Sequence, residues 1–110
     1  MSLDLHYLIE KSHATAVDKG WWDKERSAGD IFANIHAEVS EAWECYRIGD
    51  AWDSIYFDNE KPEGIAVELA DVLIRIFDLC AAKNIPLEEA LCVKMVYNTK
   101  RPYRHGNKLA

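Results

Sequence analysis

No stretch of this sequence is apolar for long enough to cross a bilayer as a helix. The best candidate, residues 65 to 82, is interrupted by Glu68, Asp71, Arg75 and Asp78, whereas a span needs roughly 20 largely apolar residues. The start, Met-Ser-Leu-Asp-Leu-His, lacks the basic and apolar regions of a secretory signal. Cysteine is scarce: Cys45, Cys80 and Cys92 make three, an odd number without a Cys-x-x-Cys pair. That fits buried thiols in a reducing cytosol better than a disulfide frame or zinc knuckle, so a cytoplasmic protein is expected. Acidic residues are missing from one end only. Residues 93 to 110 hold 5 basic and no acidic side chains, whereas residues 1 to 92 hold 8 basic and 19 acidic ones. A general nucleic-acid reader needs a basic face that displaces counterions. With basic charge confined to the tail, neither nucleic acid nor membrane is an expected partner.

What is present is a foldable chain. Its 110 residues, 49% hydrophobic and 11% aromatic, are too rich for disorder and of a length that suits one domain, residues 1–110. A core this small leaves much of its chain surface exposed, so pairing with a second copy is the default expectation. Periodicity and punctuation divide the chain into four helical stretches with no repeat and no strand pair, an all-α, bundle-like architecture. The first runs from about Leu3 to Lys19 and stops at Gly20, which suits a left-handed C-cap. The second starts at Ser27, three residues before Asp30 in a variant of the capping box, and runs to Gly49. Its predicted core face is Ile31, Phe32, Ile35, Val39, Ala42, Trp43 and Tyr46. Residues 50 to 60 mix acids with Trp52, Ile55, Tyr56 and Phe57 and read as a loop with a sticky centre. The third stretch starts near Pro62, a good first-turn residue, and runs to about Lys83. Its only polar stripe, Glu68, Asp71, Arg75 and Asp78, covers about an 80° arc, which makes it the central helix. The fourth runs from about Pro86 to Lys100 and is stopped by Pro102, with Arg101 at or past its end.

Two acid-x-x-acid pairs lie on the two longest helices, Glu38/Glu41 and Glu68/Asp71. Side chains three apart share a helix face, so each pair aims two carboxylates at one point. Spacing alone is weak, because random placement gives about three such pairs and the chain has five. Position adds more. Glu38 and Glu41 share about a 60° arc with Asn34 at the edge of the apolar face, while Glu44 and Arg47 lie farther round toward solvent. Facing stripes would bring four carboxylates into a space where like charges repel, a conflict that a hard divalent cation resolves, with oxygen-only ligands favouring Mg²⁺ or Mn²⁺. The alternative from the residues alone is a non-enzymatic helical interaction module whose acidic stripes are solvated faces. A di-iron carboxylate bundle fits poorly, since only one Glu-x-x-His occurs, Glu10 to His13.

The segment His-Ala-Glu38-Val-Ser-Glu41-Ala-Trp-Glu, a spacer of 26 residues, and Glu68-Leu-Ala-Asp71-Val-Leu together resemble the paired ExxE and ExxD motif of MazG-like all-α nucleoside triphosphate pyrophosphohydrolases. The ending, with Lys94, Asn98, Arg101, His105-Gly106 and Lys108, resembles the ending of small members of that group, so the likeness spans roughly residues 34 to 108. The resemblance implies a four-helix fold completed as a homodimer or dimer of dimers. It implies cleavage of a nucleoside triphosphate between its α and β phosphates to monophosphate and pyrophosphate. It assigns Glu38, Glu41, Glu68 and Asp71 as Mg²⁺ ligands, with Mn²⁺ as a substitute, and a cation there would neutralise phosphate oxygens and acidify water. Nothing in the spacing separates a ligand from a base; Glu41 is taken as the carboxylate that accepts the proton. Lys94, Asn98, Arg101 and Lys108 become phosphate-binding residues, supplied by the same chain or by a neighbouring subunit. Trp21 and Trp22 offer flat apolar surfaces for a base, with one of the two expected to be core. Trp43 is expected to pack, and His6, His13 and His36 to be structural.

Overall fold

The computed structural model describes residues 3–110. In chain order its elements are α1 (Leu5–Asp18), α2 (Ala28–Arg47), β1 (Tyr56–Asp58), β2 (Lys61–Glu63), α3 (Ile65–Ala82), α4 (Leu87–Thr99) and a short α5 (Arg104–Asn107). The chain is therefore mainly helical, as the periodicity predicts. Local chemistry sets the helix ends. The Asp4 carboxylate accepts from the Tyr7 amide at 2.7 Å and Ser27 Oγ from the Asp30 amide at 3.1 Å, each satisfying a free N–H of a first turn. Gly20, just past α1, takes φ +88°, the left-handed conformation that closes a helix at little cost to glycine.

Two expectations need correction. Pro62 does not open a helix, and a strand pair does exist: β1 and β2 form an antiparallel hairpin with Tyr56 opposite Glu63, Phe57 opposite Pro62 and Asp58 opposite Lys61. Asn59, at φ +59°, makes the turn. Three-residue strands leave too little period-2 pattern to be legible, and proline is tolerated on a strand whose N–H faces no neighbour. The helix starts three residues later, at Ile65, after Gly64 with φ +115°. Ser54 from the preceding loop supplies the cap: its Oγ accepts from the Ile65 amide at 2.9 Å and its carbonyl accepts from the Ala66 amide at 3.3 Å. The loop thereby anchors the helix that carries Glu68 and Asp71.

α3 is central, packing along both α1 and α2. The buried core is small: Ile31, Ala42, Ile65, Phe77 and Cys80. The predicted core face of α2 is only partly covered, because Phe32, Val39, Trp43 and Tyr46 are exposed, Trp43 by 56%. Trp43 stacks on Tyr46, which in turn meets Trp52 at 4.9 Å between ring centroids, an aromatic row on the outside of the helix. α3 likewise leaves Leu69, Leu73 and Ile74 exposed. α4 lies outside the packed set, with Val93, Met95, Val96 and Tyr97 in solvent. The α5 turn is left-handed throughout, with positive φ at Arg104, His105, Gly106 and Asn107. Among the described residues no helix is long and apolar enough to cross a membrane.

Candidate functional site

The α2–α3 packing brings three of the four motif carboxylates together. One oxygen each of Glu38, Glu68 and Asp71 lies within 4.8 Å of the others. Glu38 comes from α2, and Glu68 and Asp71 lie one turn apart on α3. All three are half-buried. Glu41 is exposed and lies outside this set of three, although its charge still reaches Glu68.

The electrostatics follow from crowding. The Glu68 carboxyl is pushed above the ordinary carboxylate range, first by burial and then by Asp71, Glu38, Glu63 and Glu41. Asp71 is also pushed up, by burial and by Glu38, with Arg75 and Lys61 opposing. These two cations are what the fold adds. Arg75 lies one turn beyond Asp71, and its Nε donates to Glu38 Oε1 at 2.6 Å. Lys61, on the hairpin, pairs with Glu63 at 3.1 Å and feels Glu68 and Glu41 as well. Sequence reasoning placed Arg75 on the polar stripe without a partner and gave Lys61 no role. For Arg75 the spacing of four from Asp71 was a usable signal; for Lys61 only the hairpin reveals the proximity.

A cleft of about 440 Å³ opens beside the carboxylates, between α1, the loop after it and α3. Leu8, Ala16, Trp21 and Ile74 supply apolar wall, Lys11, Lys19, Arg26 and Arg75 supply cationic groups, and Glu38 and Asp71 form one edge. The Arg75 guanidinium lies 5.8 Å from the Trp21 ring centroid, so one side chain touches both the aromatic wall and the carboxylate group.

Trp22 does not line this cleft. Its Nε1 donates to Asp78 Oδ1 at 2.8 Å, His13 Nδ1 meets the same oxygen at 2.8 Å, and the Arg26 guanidinium covers the Trp22 ring at 4.8 Å. Asp78, only 8% exposed, is the hub that ties α1, the tryptophan loop and α3 together. Trp22 is thus the tryptophan that belongs to the framework. His13, which the sequence left without a partner, has one from a residue 65 positions away.

The basic tail does not join the carboxylates through packing of α4 onto α2 or α3. Lys94 and Arg101 instead flank the Tyr97 ring at 4.9 and 5.5 Å, while Asn98 and Lys108 are exposed.

The chain matches no family model, no curated protein and no solved structure in comparisons with each.

As a donor set, Glu38, Glu68 and Asp71 are all oxygen and close enough to share one ion, and burial followed by like charge pushes the Glu68 and Asp71 carboxyls up. That is the chemistry of a hard divalent cation site.

Proposed function

We propose that this protein is a cytoplasmic Mg²⁺-dependent nucleoside triphosphate pyrophosphohydrolase of the MazG-like kind, cleaving between the α and β phosphates to nucleoside monophosphate and pyrophosphate. One observation carries the reading: from two motifs separated by a spacer of 26 residues, Glu38 of the first and Glu68 and Asp71 of the second bring oxygens within 4.8 Å of one another beside a cleft with an aromatic wall and cationic rim. Such a cleft falls in the size range of small-molecule sites, roughly 300–1,000 Å³.

In this reading Glu38, Glu68 and Asp71 hold Mg²⁺ or Mn²⁺, whose chemistry in such a site is charge neutralisation at phosphate oxygens and acidification of water. Glu41, exposed next to the three ligands, is free to take a proton. Trp21 provides the face on which a base stacks, and the cations along the cleft draw the phosphates toward the carboxylates. The tail residues Lys94, Asn98, Arg101 and Lys108 reach phosphate from a neighbouring subunit, since α4 stands away from the body of its own chain.

The surface supports assembly as a homodimer or dimer of dimers. The chain exposes 8643 Å², whereas a compact monomer of this mass exposes about 6,200 Å². The excess, roughly 2,400 Å², is on the scale that a stable partner covers. Those exposed faces also favour the second reading, an interaction module without activity. Incubation with a panel of nucleoside triphosphates and Mg²⁺ separates the two. Monophosphate plus pyrophosphate supports the enzyme; no turnover of any nucleotide, with melting indifferent to Mg²⁺, supports the module.

A further inference from the structure

Arg75 is a cation of the cleft that is also tied to the carboxylates. Its Nε is committed to Glu38 Oε1 at 2.6 Å, its side chain is about one-third exposed, and its guanidinium lies between the carboxylates and Trp21. It borders both the main cleft and a smaller one beside Asn34 and Asp78. A cation among the carboxylates would share the Glu38 carboxylate with the guanidinium, and two positive charges on one carboxylate repel. We propose that Arg75 is a positioning residue that couples cation binding at the carboxylates to anion binding in the cleft. The inference rests on the carboxylates being a cation site.

The coupling follows from exchange of partners. While Arg75 holds Glu38, it offsets part of the repulsion among the three carboxylates, and its Nε is committed at the edge of the cleft. When Glu38 turns to a cation, the guanidinium loses its carboxylate partner. The open direction for it is the cleft, where Lys11, Lys19 and Arg26 already gather positive charge and where a phosphate group is a bidentate match for its fork. A cation thus exposes the anion donor, and by linkage an anion that captures Arg75 strengthens cation binding by the same factor.

Two measurements on the full chain test this. The first follows Mn²⁺ binding by loss of the free-ion electron paramagnetic resonance signal, for wild type, Arg75→Met, Arg75→Lys and Glu68→Gln, with no nucleotide present. Removing the competing guanidinium in Arg75→Met should tighten Mn²⁺ binding about 5- to 10-fold, the low end for coupled sites because the pair is partly solvated. Arg75→Lys, which keeps the charge, should return the affinity toward wild type. The second follows the Arg75 Nε–H resonance of wild type by nuclear magnetic resonance: Mg²⁺ should move it, and inorganic phosphate should move it further only once Mg²⁺ is present. Equal or weaker Mn²⁺ binding in Arg75→Met, with wild-type binding intact and lost in Glu68→Gln, overturns the coupling and leaves the cation site standing. Wild-type binding no stronger than that of Glu68→Gln overturns the cation site and the coupling with it. If Arg75→Met does not fold, the wild-type resonance decides: an Nε–H signal unmoved by saturating Mg²⁺ refutes the exchange.

Discussion

Gly64 lies so close to Ser54 that a Cβ at its position would stand 2.3 Å from the Ser54 carbonyl oxygen. The contact is possible only for a residue with no side chain, and φ +115° at Gly64 makes the same demand. Because Ser54 also caps α3, this point of the loop determines where the helix starts and hence where Glu68 and Asp71 stand. Gly64→Ala should cost about 1–3 kcal/mol for the backbone conformation alone, plus the clash, and Ser54→Ala about 1 kcal/mol for the lost cap. Urea unfolding followed by circular dichroism measures both. A Gly64→Ala protein as stable as wild type would show that the loop does not hold the helix in this way.

Asp78 serves as acceptor for Trp22 and His13 and faces Arg26 at 3.8 Å. Asp78→Ala leaves these donors without their acceptor in a mostly buried site, and a loss of about 3 kcal/mol is expected. Asp78→Asn keeps one acceptor oxygen and should lose less. Near-ultraviolet circular dichroism of the tryptophans should weaken in step with stability.

For Glu68 the sign follows from its raised carboxyl. The protonated form is the one favoured in the folded chain, so its stabilising contribution is complete below the ordinary carboxylate pKa and is lost as pH rises through the raised value. At neutral pH the ionised group is therefore a cost unless a cation is bound. Glu68→Gln should raise the melting temperature by a few degrees in a chelator, remove the stabilisation by Mg²⁺, and abolish turnover. In wild type that stabilisation should reach about 2.7 kcal/mol at one hundred times Kd. Glu44→Gln, whose carboxylate pairs on the surface with Arg47 at 2.6 Å, should change none of these.

If the tail of one subunit completes the site of another, activity should be recoverable by mixing. Glu68→Gln and Arg101→Ala, each inactive alone, should regain part of the turnover when unfolded and refolded together. Static light scattering should report more than one chain per particle, and Val96→Glu should reduce that number. Monomeric wild type that turns over nucleotide would refute the shared site.

The three free thiols should differ in reactivity. Against the expectation of buried thiols, Cys92 is exposed, whereas burial pushes the Cys80 thiol up, and Cys45 is pushed up by burial and by Glu68 and Asp50. Maleimide labelling read by mass spectrometry at mildly alkaline pH should modify Cys92 first. For Cys80 the raised value implies stability that holds below the ordinary thiol pKa, about 8.5, and falls as pH rises through the folded-state value.

Much of the local design was legible in one dimension. The Ser27 cap, the stop at Gly20 and the narrow polar stripe of α3 depend on residues three or four apart, a distance at which helix geometry is fixed by covalent structure and hydrogen bonding. For the same reason Glu68, Asp71 and Arg75 were legible as one face. The hairpin was not, because three-residue strands carry almost no pattern and their pairing is decided by the turn at Asn59 and by what the strands lie against.

The site itself divides along the same line. Sequence by itself determined that carboxylates would be presented in pairs on two helices, since i to i+3 spacing does that wherever the helix goes. Only the tertiary structure decided that Glu38, and not Glu41, meets Glu68 and Asp71, because rotation of α2 about its own axis depends on packing against α3. Packing likewise gave His13 and Trp22 to Asp78 and left Trp21 facing the cleft. Adjacent tryptophans are chemically equivalent in a sequence; they part company once a buried carboxylate accepts a hydrogen bond from one of them.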